Sequence, residues 1–275
     1  MPRPASALQP AGAFPTPDST ELGHLMSIFV AVLLFLSGIV TGMINAVAGG
    51  GTFLSFGALS LAGIPPVVAN ATSSITQFPG YITSTLAYWD DFKTFWRGAI
   101  ALAVASIFGS LAGAWLLLQL DNPSFRALVP WLLIAATALF AAGPYLKPTP
   151  KPGQEAAVGG VFGWLLQFVT SIYGGFFGAG MGVMMLATLG LSQTGDYHRL
   201  NALKNMLATV IAAVAIVVFV WGGVVAWPQA VVMIPGVAIG GWSGVWVAKR
   251  VPQKYMRWFV IAVGLLLAVY YFVSG

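Results

Sequence analysis

The chain has 275 residues, of which 58% are hydrophobic and only 7% charged, against roughly 25% charged in an ordinary soluble domain. A mean hydropathy of +0.87, with 18 Phe and 10 Trp, leaves too little polar surface to keep a globule of this size dissolved, so the soluble enzyme classes are excluded. With no Cys there are no disulfides, thiol catalysis or Cys-based metal sites, and the pI of 9.6 reads as a matter of membrane topology rather than of nucleic-acid binding.

Residues 1–22 are rich in Pro, Ala, Ser and Thr without apolar periodicity and are expected to form a disordered tail. Apolar runs then cover about 25–63, 66–89, 96–120, 126–143, 156–191, 200–225, 227–248 and 256–273. At about 20 apolar residues per span, this predicts an all-α polytopic membrane protein of roughly eight spanning helices, with 23–275 as a single transmembrane domain. The first and fifth runs are too long for one straight helix, and each carries a glycine cluster in its middle. They are expected to be two helical pieces, or a span plus a re-entrant half-helix. Ala46-Val47-Ala48 mimics a signal-peptide cleavage site, but the tail before it is too long and too nearly neutral for a cleavable signal.

Sliding the sequence on itself by 131 residues aligns Ala48, Gly49 and Gly51 with Ala179, Gly180 and Gly182, and Asn70-Ala71 with Asn201-Ala202. The same shift superposes Trp96 on Trp227, Gly109 on Gly240, Gly113 on Gly244, Trp115 on Trp246 and Arg126 on Arg257. Gly, Asn and Trp coincidences at one offset through both halves point to an internal duplication, with halves of about 25–143 and 156–273.

Nearly all cationic residues fall in four groups: Lys93 and Arg97; Lys147 and Lys151; Arg199 and Lys204; and Lys249, Arg250, Lys254 and Arg257. Basic loops face the cytoplasm. Placing all four inside gives each half an odd number of crossings, so the second half is inverted relative to the first and both termini lie outside. Inverted repeats with helices broken at corresponding positions are the signature of secondary transporters, with the site at the repeat interface.

The candidate site follows from those breaks. Around Gly49, Gly50, Gly51 and Thr52, and around Gly180 and Gly182, freed backbone amides and the positive end of the next helix can cradle an anion without side-chain charge. Close helix packing is the competing explanation for glycines, and it suits Gly109 with Gly113 and Gly240 with Gly244. Asn70 and Ser74 are four apart, as are Asn201 and Asn205, so each pair lines one face of its helix. Such faces either glue helices together by hydrogen bonds or line a shared cavity. Ser73 and Gln77 enrich the first face, and Asn45 precedes the first break. Lys204 sits three residues after Asn201 and either joins that face or snorkels to the inner headgroups. No acidic residue lies well inside a run, which favours an anion pathway over a cation or proton pathway.

Other motif matches lack their structural context. Gly178-Ala179-Gly180-Met181-Gly182 with Asp196 has no preceding strand for dinucleotide binding, Asn70-Ala71-Thr72 lies within an apolar run, and His24 and His198 cannot form a metalloprotease pair. No enzyme, metal site, cofactor or nucleic-acid partner is expected; the expected partners are a small anionic substrate and the lipid bilayer.

An Asn followed by a glycine cluster (Asn45 to Gly51), its degenerate copy (Gly178 to Gly182), and polar helices carrying Asn70 and Asn201 resemble the TauE/SafE sulfite exporter family of bacterial membrane permeases. The resemblance spans about residues 25–273. It implies export of a small oxyanion across the bacterial inner membrane, sulfite or an organosulfonate such as sulfoacetate. The second cluster departs from the glycine pattern at Met181, so the two half-sites need not contribute equally. A permease for another organic acid or a neutral solute, and a membrane scaffold or sensor without transport, are the competing functions.

Overall fold

In a computed structural model of the protein, residues 28–48, 50–87, 96–142, 161–192, 197–248 and 253–273 are described. Among them are ten helices and no strand: α1 (Ile28–Ala48), α2 (Thr52–Leu61), α3 (Pro66–Ala87), α4 (Trp96–Leu118), α5 (Asn122–Ala142), α6 (Val161–Phe176), α7 (Met181–Ser192), α8 (Tyr197–Trp221), α9 (Trp227–Ala248) and α10 (Gln253–Val273). The tail 1–22, Lys93, Lys147, Lys151, Lys249 and Arg250 lie outside the described residues, as does Gly49.

Both long apolar runs are broken at their glycines. At about 1.5 Å per residue, α1 reaches some 32 Å, a full bilayer core, whereas α2 reaches only about 15 Å. The chain folds back at this point rather than continuing. A Cβ added at Gly51 would collide with the Thr41 carbonyl and lie 2.9 Å from the Asn45 Cβ, so the start of α2 rests against the last turns of α1. The break between α6 and α7 is built differently: Gly178 and Gly180 have φ of +68° and +75°, a backbone region open to glycine and closed to most other residues.

Helix positions recur through the chain. The starts of α3 and α8, α4 and α9, and α5 and α10 are each separated by 131 residues, as are the ends of α2 and α7 and of α5 and α10. Packing crosses between the two sets of five: α1 lies along α9 and α6 along α4, while α3 packs on α9 and α8 on α4. Within the membrane the two sides of a helix cannot differ much in polarity, so they differ in size. On α4, Ile100, Val104, Ile107, Phe108, Leu111 and Trp115 are exposed, a lipid-facing stripe. The opposite side carries Gly109 and Gly113, where an added Cβ would crowd Ser171 and the Phe176 amide of α6 at 2.8 Å. Gly240 and Gly244 on α9 do the same against Ile39 and Met43 of α1.

Two boundaries differ from the hydropathy pattern. α5 starts at Asn122, four residues before the apolar run, because the Asp121 carboxylate caps it by accepting the Ser124 amide at 3.0 Å. The Ser124 hydroxyl and then its amide hold the Asp121 carboxyl below the ordinary range. α8 starts at Tyr197, so Arg199 and Lys204 belong to its first two turns rather than to a connection. The first turn of a helix tolerates polar side chains because they reach the interface.

Candidate functional site

The two glycine breaks meet. Thr52, the first residue of α2, accepts a hydrogen bond on Oγ1 from the Gly180 amide at 3.1 Å and donates its own proton toward the Gly178 carbonyl at 3.4 Å. Thr52 is 3% exposed, so this junction is buried. It is made by opposite uses of glycine. Gly178 and Gly180 supply left-handed backbone that turns α6 into α7, and their free polar groups are then satisfied by a threonine from the other break.

Helix α3 forms the adjoining wall. Asn70 donates from Nδ2 to the Phe176 carbonyl at 2.9 Å, capping the end of α6 where helical acceptors run out. Ser73 and Ser74 turn their hydroxyls back onto the Asn70 carbonyl, at 2.9 and 3.1 Å, and a Cβ on Gly178 would lie 3.1 Å from the Ser74 Oγ. One turn further on, Gln77 donates from Nε2 to the Ser55 Oγ of α2 at 3.4 Å, and Ser55 donates to the Thr52 carbonyl at 3.1 Å. A continuous polar path therefore runs from Gln77 through Ser55 and Thr52 to Gly180, with Asn70 and Ser74 on the Gly178 side. Asn45 stands beside Gly51 and next to the Tyr81 hydroxyl. Thr72 points elsewhere on α3 and caps α9 by accepting the Ala226 amide at 3.0 Å.

Among the predicted site residues, the structure thus gathers Asn45, Gly51, Thr52, Asn70, Ser74, Gln77 and Gly180. Ser73 is buried on the same helix but spends its hydroxyl on its own backbone. Gly50 is a packing glycine, since a Cβ there would meet Val260 of α10 at 2.6 Å. Gly182 is buried in the first turn of α7. Asn201, Lys204 and Asn205 are all buried on α8, and none of the hydrogen bonds of the path above involves Lys204 or Asn205. Lys204 is 1% exposed, which places its side chain in the protein rather than along the lipid.

Sequence reasoning missed a second polar cluster. Gln167 of α6 donates to the Ser106 Oγ of α4 at 2.9 Å and to the Ser171 Oγ at 3.1 Å, and Ser171 lies 3.2 Å from Ser106. The shift of 131 residues puts Val237, Leu36 and Val40 at the equivalent places, so the duplication gives no hint of it. A glutamine at four-residue spacing from a serine inside an apolar helix was the available signal. Among the described residues no group of three or more His, Asp or Glu gathers to hold a metal.

The break between α6 and α7 also anchors an aromatic cluster. Phe177, with no exposure, meets Phe56 edge-on at 5.5 Å and Phe125 at 6.1 Å, and Phe56 stacks on Tyr271 at 5.7 Å. These rings place apolar bulk beside the turn from α6 to α7.

Comparison with known proteins gives the same architecture a family. The family described as sulfite exporter TauE/SafE matches residues 34–271. A "Probable membrane transporter protein" of Haemophilus influenzae is 27% identical over 239 residues, covering 83% of this chain and 88% of that protein. "Probable membrane transporter protein ORF9" of a Sinorhizobium species is 26% identical, covering 89% and 93%. "Probable membrane transporter protein YfcA" of Escherichia coli K12 is 27% identical, covering 86% and 87%. The match runs through both glycine breaks and both sets of five helices, and the chain belongs to the sulfite exporter TauE/SafE family of membrane transporters.

Proposed function

We propose that the protein exports a small oxyanion, sulfite or an organosulfonate such as sulfoacetate, across the bacterial inner membrane. The observation that carries this reading is the meeting of the two breaks at Thr52 and Gly180. It brings the start of α2 and the start of α7 together in the buried interior; most of their first-turn amides are bonded to the carbonyls of Gly50, Gly51, Gly178 and Gly180, so what the junction offers an anion is the positive end of each helix rather than a set of free donors. Two positive helix ends converging in a medium of low dielectric favour a negative ligand. Asp121, on an exposed connection, is the sole carboxylate among the described residues, so no described acid side chain opposes that field from inside the membrane.

The two sets of five helices are read as inverted halves with both termini outside. Exchange of packing partners between the sets, α1 with α9 and α6 with α4, supports a two-fold relation between them, and placing the four basic groups inside makes that relation an inverted one. An inside-negative potential of about 100 mV assists the exit of each negative charge by about 2.3 kcal/mol, which suffices for export without a coupling ion.

Counterflow in proteoliposomes with labelled sulfite, sulfoacetate, sulfate, taurine and an amino acid tests the reading. Exchange of sulfite or sulfoacetate that sulfate and the amino acid fail to elicit is the expected result. Exchange of the amino acid alone would replace the anion by a neutral solute or another acid as cargo.

A further inference from the structure

The polar lining of the breaks is unbalanced, and the imbalance bears on what the substrate carries. Asn70 gives its Nδ2 to the Phe176 carbonyl. That partner can only accept, so the bond itself fixes which end of the Asn70 amide is nitrogen. The Asn70 Oδ1 is buried and has no partner among the described residues. Gln77 repeats the arrangement. Ser55 commits its proton to the Thr52 carbonyl, so it can only accept from Gln77 Nε2, and the Gln77 Oε1 is left buried without a described partner.

Asn70 and Gln77 are two turns apart on one face of α3, and both reach their partners at the breaks. Side-chain donors there are spent on the protein while acceptor oxygens remain. A buried acceptor without a donor is unfavourable unless a bound molecule supplies one. A bare oxyanion suits the positive ends of α2 and α7, whose first-turn amides are mostly bonded to preceding carbonyls, but sets its own oxygens against these two. A ligand with both an anionic head and a hydrogen to donate satisfies both sets.

Building on the anion-transport reading above, we propose that the substrate is an oxyanion bearing its own O–H or N–H donor, which the side-chain oxygens of Asn70 and Gln77 select. Within the sulfur oxyanions this favours hydrogen sulfite and hydroxy- or amino-alkanesulfonates over the sulfite dianion, sulfate and sulfoacetate, and so narrows the anion-transport reading to its donor-bearing members. The head sits on the helix starts and the donor points to α3.

Two matched comparisons on the purified full chain test this by ligand-dependent thermal stabilisation and by competition in proteoliposomes. The first sets 2-hydroxyethanesulfonate and 2-aminoethanesulfonate against ethanesulfonate, which share a head group and differ in the donor. The second sets sulfite below its second ionisation against sulfite above it, with ethanesulfonate, whose charge is constant, as the reference at each pH. The first comparison reads a donor on the tail and the second a donor on the head. The expected result is a preference on the order of tenfold or more for the donor-bearing member of at least one comparison, the size set by one buried acceptor gaining its partner. Gln77→Met, of similar length and without the acceptor, should reduce that preference while its elution profile stays that of the folded protein. Equal or better recognition of the donor-free members in both comparisons, or an unchanged preference in a folded Gln77→Met, overturns the proposal while leaving anion transport standing. Failure of every sulfur oxyanion to bind overturns both. The wild-type comparisons stand without any variant.

Discussion

The Gly180 amide donates to the Thr52 Oγ1 at 3.1 Å, across 128 residues of sequence, and joins two helix breaks that share no chain connection near them. Threonine suits this place because its hydroxyl is at once the acceptor for that amide and a donor toward the Gly178 carbonyl.

Replacing it separates the two roles of the junction. Thr52→Val keeps the shape and strands a buried amide, an expected loss of about 1–3 kcal/mol. Thr52→Ser retains the hydroxyl and should lie near wild type. Apparent Tm in detergent, followed by the monodisperse fraction after heating, gives the comparison. Equal Tm for Val and Ser variants would reduce the contact to coincidence of packing.

Gly180 carries a second expectation, because two costs coincide there. Its φ of +75° disfavours any side chain by about 1–2 kcal/mol. An added Cβ would also stand 2.9 Å from Phe53 and 3.1 Å from Ala136. Gly180→Ala should therefore lower Tm clearly. Gly241→Ala is the matched control. It lies inside α9 with its nearest neighbours at 3.7 Å, so gain of helix propensity, up to about 1 kcal/mol, should leave it neutral or stabilising. A Gly180→Ala protein as stable as Gly241→Ala would show that this turn relaxes into another conformation.

The sequence made the breaks legible because adjacent glycines conflict with helix propensity whatever surrounds them, and it made the α4 and α9 packing surfaces legible because glycines four apart share a face. It could not separate the individual glycines. Gly50 meets Val260 and Gly51 meets the Thr41 carbonyl, contacts with residues distant from the cluster or on the far side of a fold-back. Asn70 and Ser74 were recognisable as one polar face, but the acceptor at Phe176 was not, since an orphan carbonyl exists only once the helix has ended. The Ser106, Gln167 and Ser171 cluster escaped because a search by duplication finds only what both halves retain.

Orientation in the membrane rests on charge and is open to direct measurement. With the four basic groups inside, both ends of the chain face outward. Fusions of a periplasm-active reporter at either end should be active, and a cytoplasm-active reporter there should be silent. A Cys introduced at Lys93 or Lys254 in this Cys-free chain should resist an impermeant thiol reagent in intact cells and react in inverted vesicles. Labelling from outside would reverse the topology and with it the assignment of export.

Lys204 is where charge and burial conflict most. Its side chain is 1% exposed, and no described acidic side chain is placed inside the membrane to neutralise it. A Lys kept only for packing would be better replaced by an apolar residue, because a charge in hydrocarbon is unfavourable and is retained where an ion pathway uses it. It lies between Asn201 and Asn205 on α8, a helix distinct from the Thr52 path. The expected role is attraction of the anion at the inner mouth rather than contact at the junction. Lys204→Gln should then raise the apparent internal substrate constant more than it lowers the maximal rate. Tm should hold or rise, since a buried charge has been removed. Lys204→Arg keeps the charge but spreads it over a planar fork and should rescue only in part. Transport from inside-loaded vesicles at matched protein levels is the measurement. A wild-type concentration dependence in Lys204→Gln would remove this residue from the substrate path and leave the Thr52 and Gly180 junction as the site.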